Sequence, residues 1–155
     1  MVHQMEFNTA FLHGDTDKEV FIIQPPGFAD EKHLSMVWKL HKSLYGLKHS
    51  PRCWYIKMVD ALLDMGFERT APEYGVFFHK SKEGECLLRL YVNDIIIAGS
   101  FTSIIAKVKL FVSSWFKMKD LGKILGKFLG LDIVQEATTI KVSMDSCISL
   151  MVMNF

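Results

Sequence analysis

Leu87-Leu88-Arg89-Leu90-Tyr91-Val92-Asn93-Asp94-Ile95-Ile96-Ile97-Ala98 sets an Asn-Asp pair between two apolar arms. Each arm is rich in aliphatic, β-branched and aromatic residues and reads as a short buried strand. Two polar residues between such arms are the length of a tight β-hairpin loop. One reading is an ordinary turn, since Asn and Asp tolerate left-handed backbone, although Asn-Gly or Asp-Gly would fit better. The other is a carboxylate raised on a rigid hairpin tip, where it can present a metal ligand. The flanking sequence decides between them.

Working outward, Val2 to Phe7 alternates weakly and reads as a strand starting almost at the first residue, which implies that upstream sequence is missing. Gln24-Pro25-Pro26-Gly27 is a turn signal, and Val37 to Leu40 can form a short strand. Ser50-Pro51 reads as an N-cap followed by proline at the first helical position. Trp54, Tyr55, Met58, Val59, Leu62 and Leu63 then follow at helical spacing, and Gly66 is a C-terminal stop. Tyr74 to His79 and Cys86 to Val92 read as strands joined by the polar 80–85 turn. Thr102 or Ser103 caps a second helix with Ile104, Ile105, Val108, Phe111, Val112 and Trp115 on its buried side. Phe128 to Val134 and Thr139 to Val142 close the pattern as a hairpin. Strand, helix, strand, strand, helix, strand is an α+β arrangement, an antiparallel sheet with helices on one face.

At 155 residues, half of them hydrophobic, the chain can bury one core. No apolar run approaches the roughly 20 residues that span a bilayer, and no leader with a small-residue cleavage site opens the chain. Cys53, Cys86 and Cys147 lack metal-type spacing and read as reduced thiols of an intracellular protein. The net charge of +1 hides an asymmetry. Residues 32–59 carry six Lys/Arg, three His and no carboxylate, which leaves −5 on the rest of the chain. Such a segment is the footprint expected of something that touches phosphates, or else a solvated lysine-rich face. Trp38, Tyr45, Trp54 and Tyr55, interleaved with it, suit stacking on bases or burial in a core. Asp15, Asp17 and Glu19 read as solvated loop charges, and the six scattered His show no ligand spacing.

Five stretches in series carry a resemblance. They are Gln4-Met5-Glu6-Phe7-Asn8-Thr9-Ala10-Phe11-Leu12-His13-Gly14-Asp15, Gln24-Pro25-Pro26-Gly27-Phe28, and Lys42-Ser43-Leu44-Tyr45-Gly46-Leu47-Lys48-His49-Ser50-Pro51-Arg52. Tyr91-Val92-Asn93-Asp94 with Ile97-Ala98-Gly99 follows, then Phe116-Lys117-Met118-Lys119-Asp120-Leu121-Gly122 with Phe128-Leu129-Gly130-Leu131-Asp132-Ile133. In this order and spacing the chain resembles the reverse transcriptase of copia-type LTR retrotransposons. The resemblance implies an α+β polymerase palm with partial fingers over residues 1–143 and a divergent tail over 144–155. It implies RNA or DNA template-primer and deoxynucleotides as partners, and two Mg²⁺ ions roughly 3.5–4 Å apart as cofactors. Their carboxylate ligands map onto Glu6, Asn93 and Asp94.

Two of those three depart from the family pattern, which has Asp in place of Glu6 and of Asn93. Glu keeps the charge and adds a methylene, whereas Asn offers a neutral oxygen in place of an anion. The expectation is a catalytically dead or impaired copy. Phe11, five residues after the first carboxylate, matches the aromatic gate against a nucleotide 2′-hydroxyl, or is a plain core residue. Tyr45, Gly46 and Lys48 match the segment lining nucleotide and template, with glycine allowing close backbone approach. Phe128, Leu129 and Gly130 match the hairpin gripping the primer end, or a core strand pair. Finger sequence upstream, and thumb, integrase and RNase H sequence downstream, are expected to be missing. The alternatives to a polymerase are a non-catalytic nucleic-acid-binding module, recognised by salt-sensitive affinity, and a non-functional retroelement relic, recognised by the lack of a cooperative melt.

Overall fold

The computed structural model describes residues 1–71, 73–124, 126–137 and 139–153. In chain order it contains β1 (Val2–Phe7), a single 3-10 turn (Ala10–His13), β2 (Asp15–Ile23), β3 (Val37–Lys42) and α1 (Ser50–Asp64). Then come β4 (Glu68–Arg69), β5 (Val76–Ser81), β6 (Gly84–Tyr91), β7 (Asp94–Gly99) and α2 (Thr102–Trp115). β8 (Met118–Lys123), β9 (Gly126–Phe128), β10 (Leu131–Gln135), β11 (Ile140–Ser143) and α3 (Asp145–Met153) follow. The protein is α+β, with every described strand pair antiparallel.

The main sheet runs β4-β5-β6-β7-β1-β8, so the two strands quoted first form its centre with β1 beside them. Alternation along the strands splits their side chains between two faces. Cys86, Leu88 and Leu90 of β6, Ile95 and Ile97 of β7, and Met5 and Phe7 of β1 all point to one face and are buried. Trp54, Met58, Ala61 and Leu62 of α1 and Ile104, Ile105, Val108 and Val112 of α2 close on that face to form the core. The alternate residues Leu87 and Tyr91 stay exposed, so β6 is buried on one side only.

The opposite face is covered in part, which the sequence pattern does not anticipate. Ile124, Phe128 and Ile133 form a second apolar cluster that packs against Val2 and Ile96. This lays the three-stranded sheet β9-β10-β11 over one end of the main sheet. The Gln135 side chain fixes it there, accepting from Val2 N–H at 2.7 Å and donating to Val2 C=O at 3.0 Å. The 128–134 stretch is also not one strand. Leu129 (φ 51°) and Gly130 (φ 82°) turn the chain between β9 and β10, and two successive positive φ values mark a type I′ hairpin.

Several local expectations shift. Ser50 is not the N-cap: His49 takes that position, while Ser50 is buried and its hydroxyl donates to the Leu44 carbonyl. Leu63 and Trp115 are exposed, their places in the core taken by Ala61 and Phe116. Asp15, Asp17 and Glu19 lie on β2 rather than a loop, because β2 pairs with β3 in a two-stranded ribbon. Gly14 precedes that ribbon where α1 crosses it; a Cβ there would sit 2.7 Å from the Trp54 backbone nitrogen, so only glycine lets the helix approach.

His3 is an anomaly in β1. Both ring nitrogens are shielded and unpartnered, between Lys109 on α2 and Asp120 and Lys123 on β8. Desolvation, aided by Lys109, pushes its pKa below the ordinary value, against a smaller opposing pull from Asp120. As pH falls through about 6.5 the unfolded chain binds a proton that the folded ring resists, so stability falls and levels off below the folded pKa. A His3→Leu substitution is therefore expected to flatten the decline in Tm between about pH 7 and pH 5, read by thermal melts across that window.

Candidate active site

The register of β1 against β7 pairs Glu6 with Asp94. Directly paired residues on antiparallel strands share a face, so the two carboxylates lie side by side, about 4.5–5.5 Å apart at Cβ. Their face is the one opposite the helices, because Met5 and Ile95 point the other way. Gln4 on the same face donates from Nε2 to Asp94 Oδ1 at 3.1 Å. On the other flank Lys119 of β8 is the register partner of Glu6.

The hairpin tip is one residue earlier than the sequence pattern implies. Tyr91 pairs with Asp94, so the two loop residues are Val92 and Asn93, and Asp94 already belongs to β7. Val92 has φ 43° and Asn93 does not have positive φ. A positive φ at the first loop position alone is the type II′ pattern, which ordinarily carries glycine there. A β-branched residue in that conformation is strained. What holds it is a pair of backbone captures. The Trp54 indole N–H donates to Val92 C=O at 2.9 Å, and Phe7 N–H donates to Asn93 C=O at 2.6 Å. Trp54 is itself wedged edge-on against Phe7 and Phe116, with ring centroids 4.7 and 5.2 Å away. Helix α1 thus sets the tip, and the tip sets where Asn93 and Asp94 sit.

The other sequence candidates divide into two groups. Phe11 and Tyr45 come together, their rings 4.7 Å apart and tilted by 46°. Phe11 also lines a cleft of about 250 Å³ with Trp54, Tyr55, Tyr91 and Val92, so it stands beside the hairpin tip. Lys48 lies elsewhere, on a smaller hollow with Thr16, Asp17 and Lys18. Gly46 has φ 91°, yet an added Cβ would meet nothing within 4 Å. Its glycine answers a left-handed turn. Phe128 is core, while Leu129 and Gly130 form an exposed tip.

The donor set at the tip does not suit a pair of divalent ions. Magnesium takes hard, charged oxygens. Here two carboxylates are accompanied by Asn93, whose shielded Oδ1 is neutral and has no partner. Among the described residues no group of three or more His, Cys, Asp or Glu is placed to hold a metal.

The family model described as reverse transcriptase (RNA-dependent DNA polymerase) matches residues 1–155. The chain belongs to this family. It is 43% identical over 144 residues to the retrovirus-related Pol polyprotein from transposon TNT 1-94 of Nicotiana tabacum, covering 91% of this chain and 11% of that one. A putative transposon Ty5-1 protein of Saccharomyces cerevisiae is 37% identical over 133 residues, covering 86% of this chain and 43% of its own. The Pol polyprotein from transposon RE1 of Arabidopsis thaliana is 33% identical, covering 92% and 10%. The copia-type resemblance carried by the sequence blocks holds, and the chain spans less than half the length of each of these relatives.

The basic segment of this family member has been reassigned by its fold. Lys39 pairs with Glu19, Lys42 and Lys57 with Asp15, and Arg52 with Asp17 at 3.8 Å. Hydrogen bonds from Lys42 and Lys57 hold the Asp15 carboxyl below its ordinary pKa. Four of the six cations therefore face the acids of β2, which were separated from them in sequence. Trp54 is in the core and Tyr55 packs against it, leaving Trp38 and Tyr45 as the exposed aromatics.

The indole clamp gives a direct test. Trp54→Phe keeps a ring but strips the Val92 carbonyl of its donor, and is expected to cost about 2–4 kcal/mol in urea unfolding. In a Val92→Gly background the same change is expected to cost less, because glycine holds a type II′ tip without the clamp.

Proposed function

We propose that this chain is the palm of a copia-type reverse transcriptase, with partial fingers, spanning residues 1–143 and followed by a divergent tail. Template-primer and deoxynucleotides are the ligands of such a domain. The observation that carries the reading is the pairing of Glu6 with Asp94 beside a hairpin tip pinned by α1. Antiparallel strands that bring an acid of one strand next to an acid at a hairpin end are a rigid support for a charged site. The cleft between Phe11 and Val92 lies against that support, with an aromatic wall suited to a base or sugar.

In this reading Glu6, Asn93 and Asp94 occupy the three metal-ligand positions, and the copy is catalytically impaired. Replacing an anionic ligand by a neutral amide removes one charge from a site that must offset a triphosphate. Lengthening the other by a methylene displaces its oxygens, and a shift near 1 Å can cost about 100-fold in rate. Phe11 serves as the steric gate, Tyr45, Gly46 and Lys48 as template and nucleotide contacts, and Phe128, Leu129 and Gly130 as the primer-side hairpin. A non-catalytic nucleic-acid-binding role is the second reading. The exposed lysines of β8 favour it.

Primer extension separates the two. The unaltered chain is expected to extend a template-primer at background level with Mg²⁺ or Mn²⁺, and the Glu6→Asp, Asn93→Asp double substitution to exceed it by at least about tenfold. Template-dependent synthesis by the unaltered chain at the rate of the double variant would contradict the impairment.

A further inference from the structure

We infer that β8 is a proton-sensitive flap: it closes the main sheet while the His3 ring is neutral and loosens when that ring takes a proton. The inference is independent of the polymerase reading. His3 lies on the helix side of β1, in register with Lys123 of β8 on one flank and Ile97 of β7 on the other. Both its ring nitrogens are shielded without a hydrogen-bond partner, and among the described residues no other histidine is left this way. His13 and His79 each meet a backbone carbonyl, of Asn8 and Gly66, and His33 meets the Asp30 carboxylate. His41 and His49 are exposed. A neutral imidazole always carries one N–H, so His3 keeps an unsatisfied donor whichever tautomer it adopts.

The charges around the ring set the direction. Lys109 of α2, whose side chain is only 12% exposed, donates to Asp120 Oδ1 at 2.5 Å and so straps the helix to β8. Asp120 is the register partner of Met5, which puts it on the same side of the sheet as His3. Lys123 and the amino terminus add two further positive charges near the ring, while Ile97 on the β7 flank adds none. A protonated His3 thus meets three cations and one carboxylate, and that carboxylate is already committed to Lys109. Exposing the ring relieves the conflict, and β8 is the element free to move. It is an edge strand, bonded to the sheet on one flank alone. A bulge interrupts its ladder with β1 between the Gln4 and Met5 pairings, and Gly122 beside it has φ 77°. Both ends are anchored, because Phe116 and Ile124 are buried. Asn8 N–H donates to Lys117 C=O and Ile124 N–H to Val2 C=O, each at 3.0 Å. The loosened segment is therefore residues 119–123. It carries Lys119, the register partner of Glu6, so the same proton is felt on the acid face.

The test is amide hydrogen–deuterium exchange on the full chain at about pH 7 and about pH 5, corrected for the intrinsic pH dependence of exchange. Protection over residues 119–123 is expected to fall by between about threefold and 25-fold at the lower pH. The upper bound is the factor by which an exposed imidazole of pKa about 6.5 favours the open form across that window. The loss is expected to depend little on urea up to about 1 M, the mark of a local opening. His3→Leu is expected to hold protection over 119–123 within about twofold between the two pH values. Lys109→Met keeps the aliphatic stem and cuts the strap, so it is expected to lower protection there already at about pH 7. In the unaltered chain the His3 ring is expected to titrate below about pH 6.5, read by NMR. An equal loss of protection in His3→Leu overturns the flap. So does a urea dependence of 119–123 as steep as that of α1, because β8 then opens only with the whole molecule. A His3 ring that titrates at or above about pH 6.5 overturns it too. The NMR titration and the urea series need no substitution, so they decide the matter even where His3→Leu does not fold.

Discussion

β1 is hydrogen-bonded along both edges, to β7 on one side and β8 on the other, and its register decides what the molecule can present. A slip by one residue would send Glu6 into the apolar core and bring Met5 out to the acid face. Two features forbid the slip. Met5 and Phe7 are buried between the helices and the sheet, and the Phe7 amide is already committed to the Asn93 carbonyl. Trp54 completes the arrangement from α1, holding the neighbouring Val92 carbonyl while its ring fills the space between Phe7 and Phe116. Core packing and the geometry of the acid face are thus the same constraint seen from two sides of one strand.

This coupling explains why a strained turn persists where a glycine would be easier. Left-handed backbone at Val92 is costly on its own. It is retained because the tip carbonyls are over-determined by two donors that the core places independently. The frame does not rest on the side chains that carry the candidate chemistry, since neither the Glu6 nor the Asn93 side chain supplies any of the hydrogen bonds that define it.

Much of the fold was legible in sequence because it rests on local periodicity. β1, α1, α2 and the central hairpin follow from apolar spacing and stop signals, and their partners follow from antiparallel connection lengths. The failures have a common cause: each depended on a partner distant in sequence. β2 carries three acids and looks like a loop until the lysines of β3 and α1 are placed opposite them. Ser50 looks like a cap until the Leu44 carbonyl claims its hydroxyl. The hairpin tip looks like Asn-Asp until Trp54, 38 residues away, takes the Val92 carbonyl. The candidate residues Glu6, Asp94 and Phe11 came from matching the family's blocks, and only the register shows the first two side by side.

The measurement that bears most directly on the proposed loss of a metal ligand at Asn93 is calorimetric titration of Mn²⁺ into the unaltered chain and into Asn93→Asp, which needs no polymerase activity. Affinity in oxygen-ligand sites rises with the number of charged ligands. The prediction is weak binding by the unaltered chain and at least about tenfold tighter binding, some 1.4 kcal/mol, once a third carboxylate stands beside Glu6 and Asp94. Equal, tight binding by both chains would contradict it.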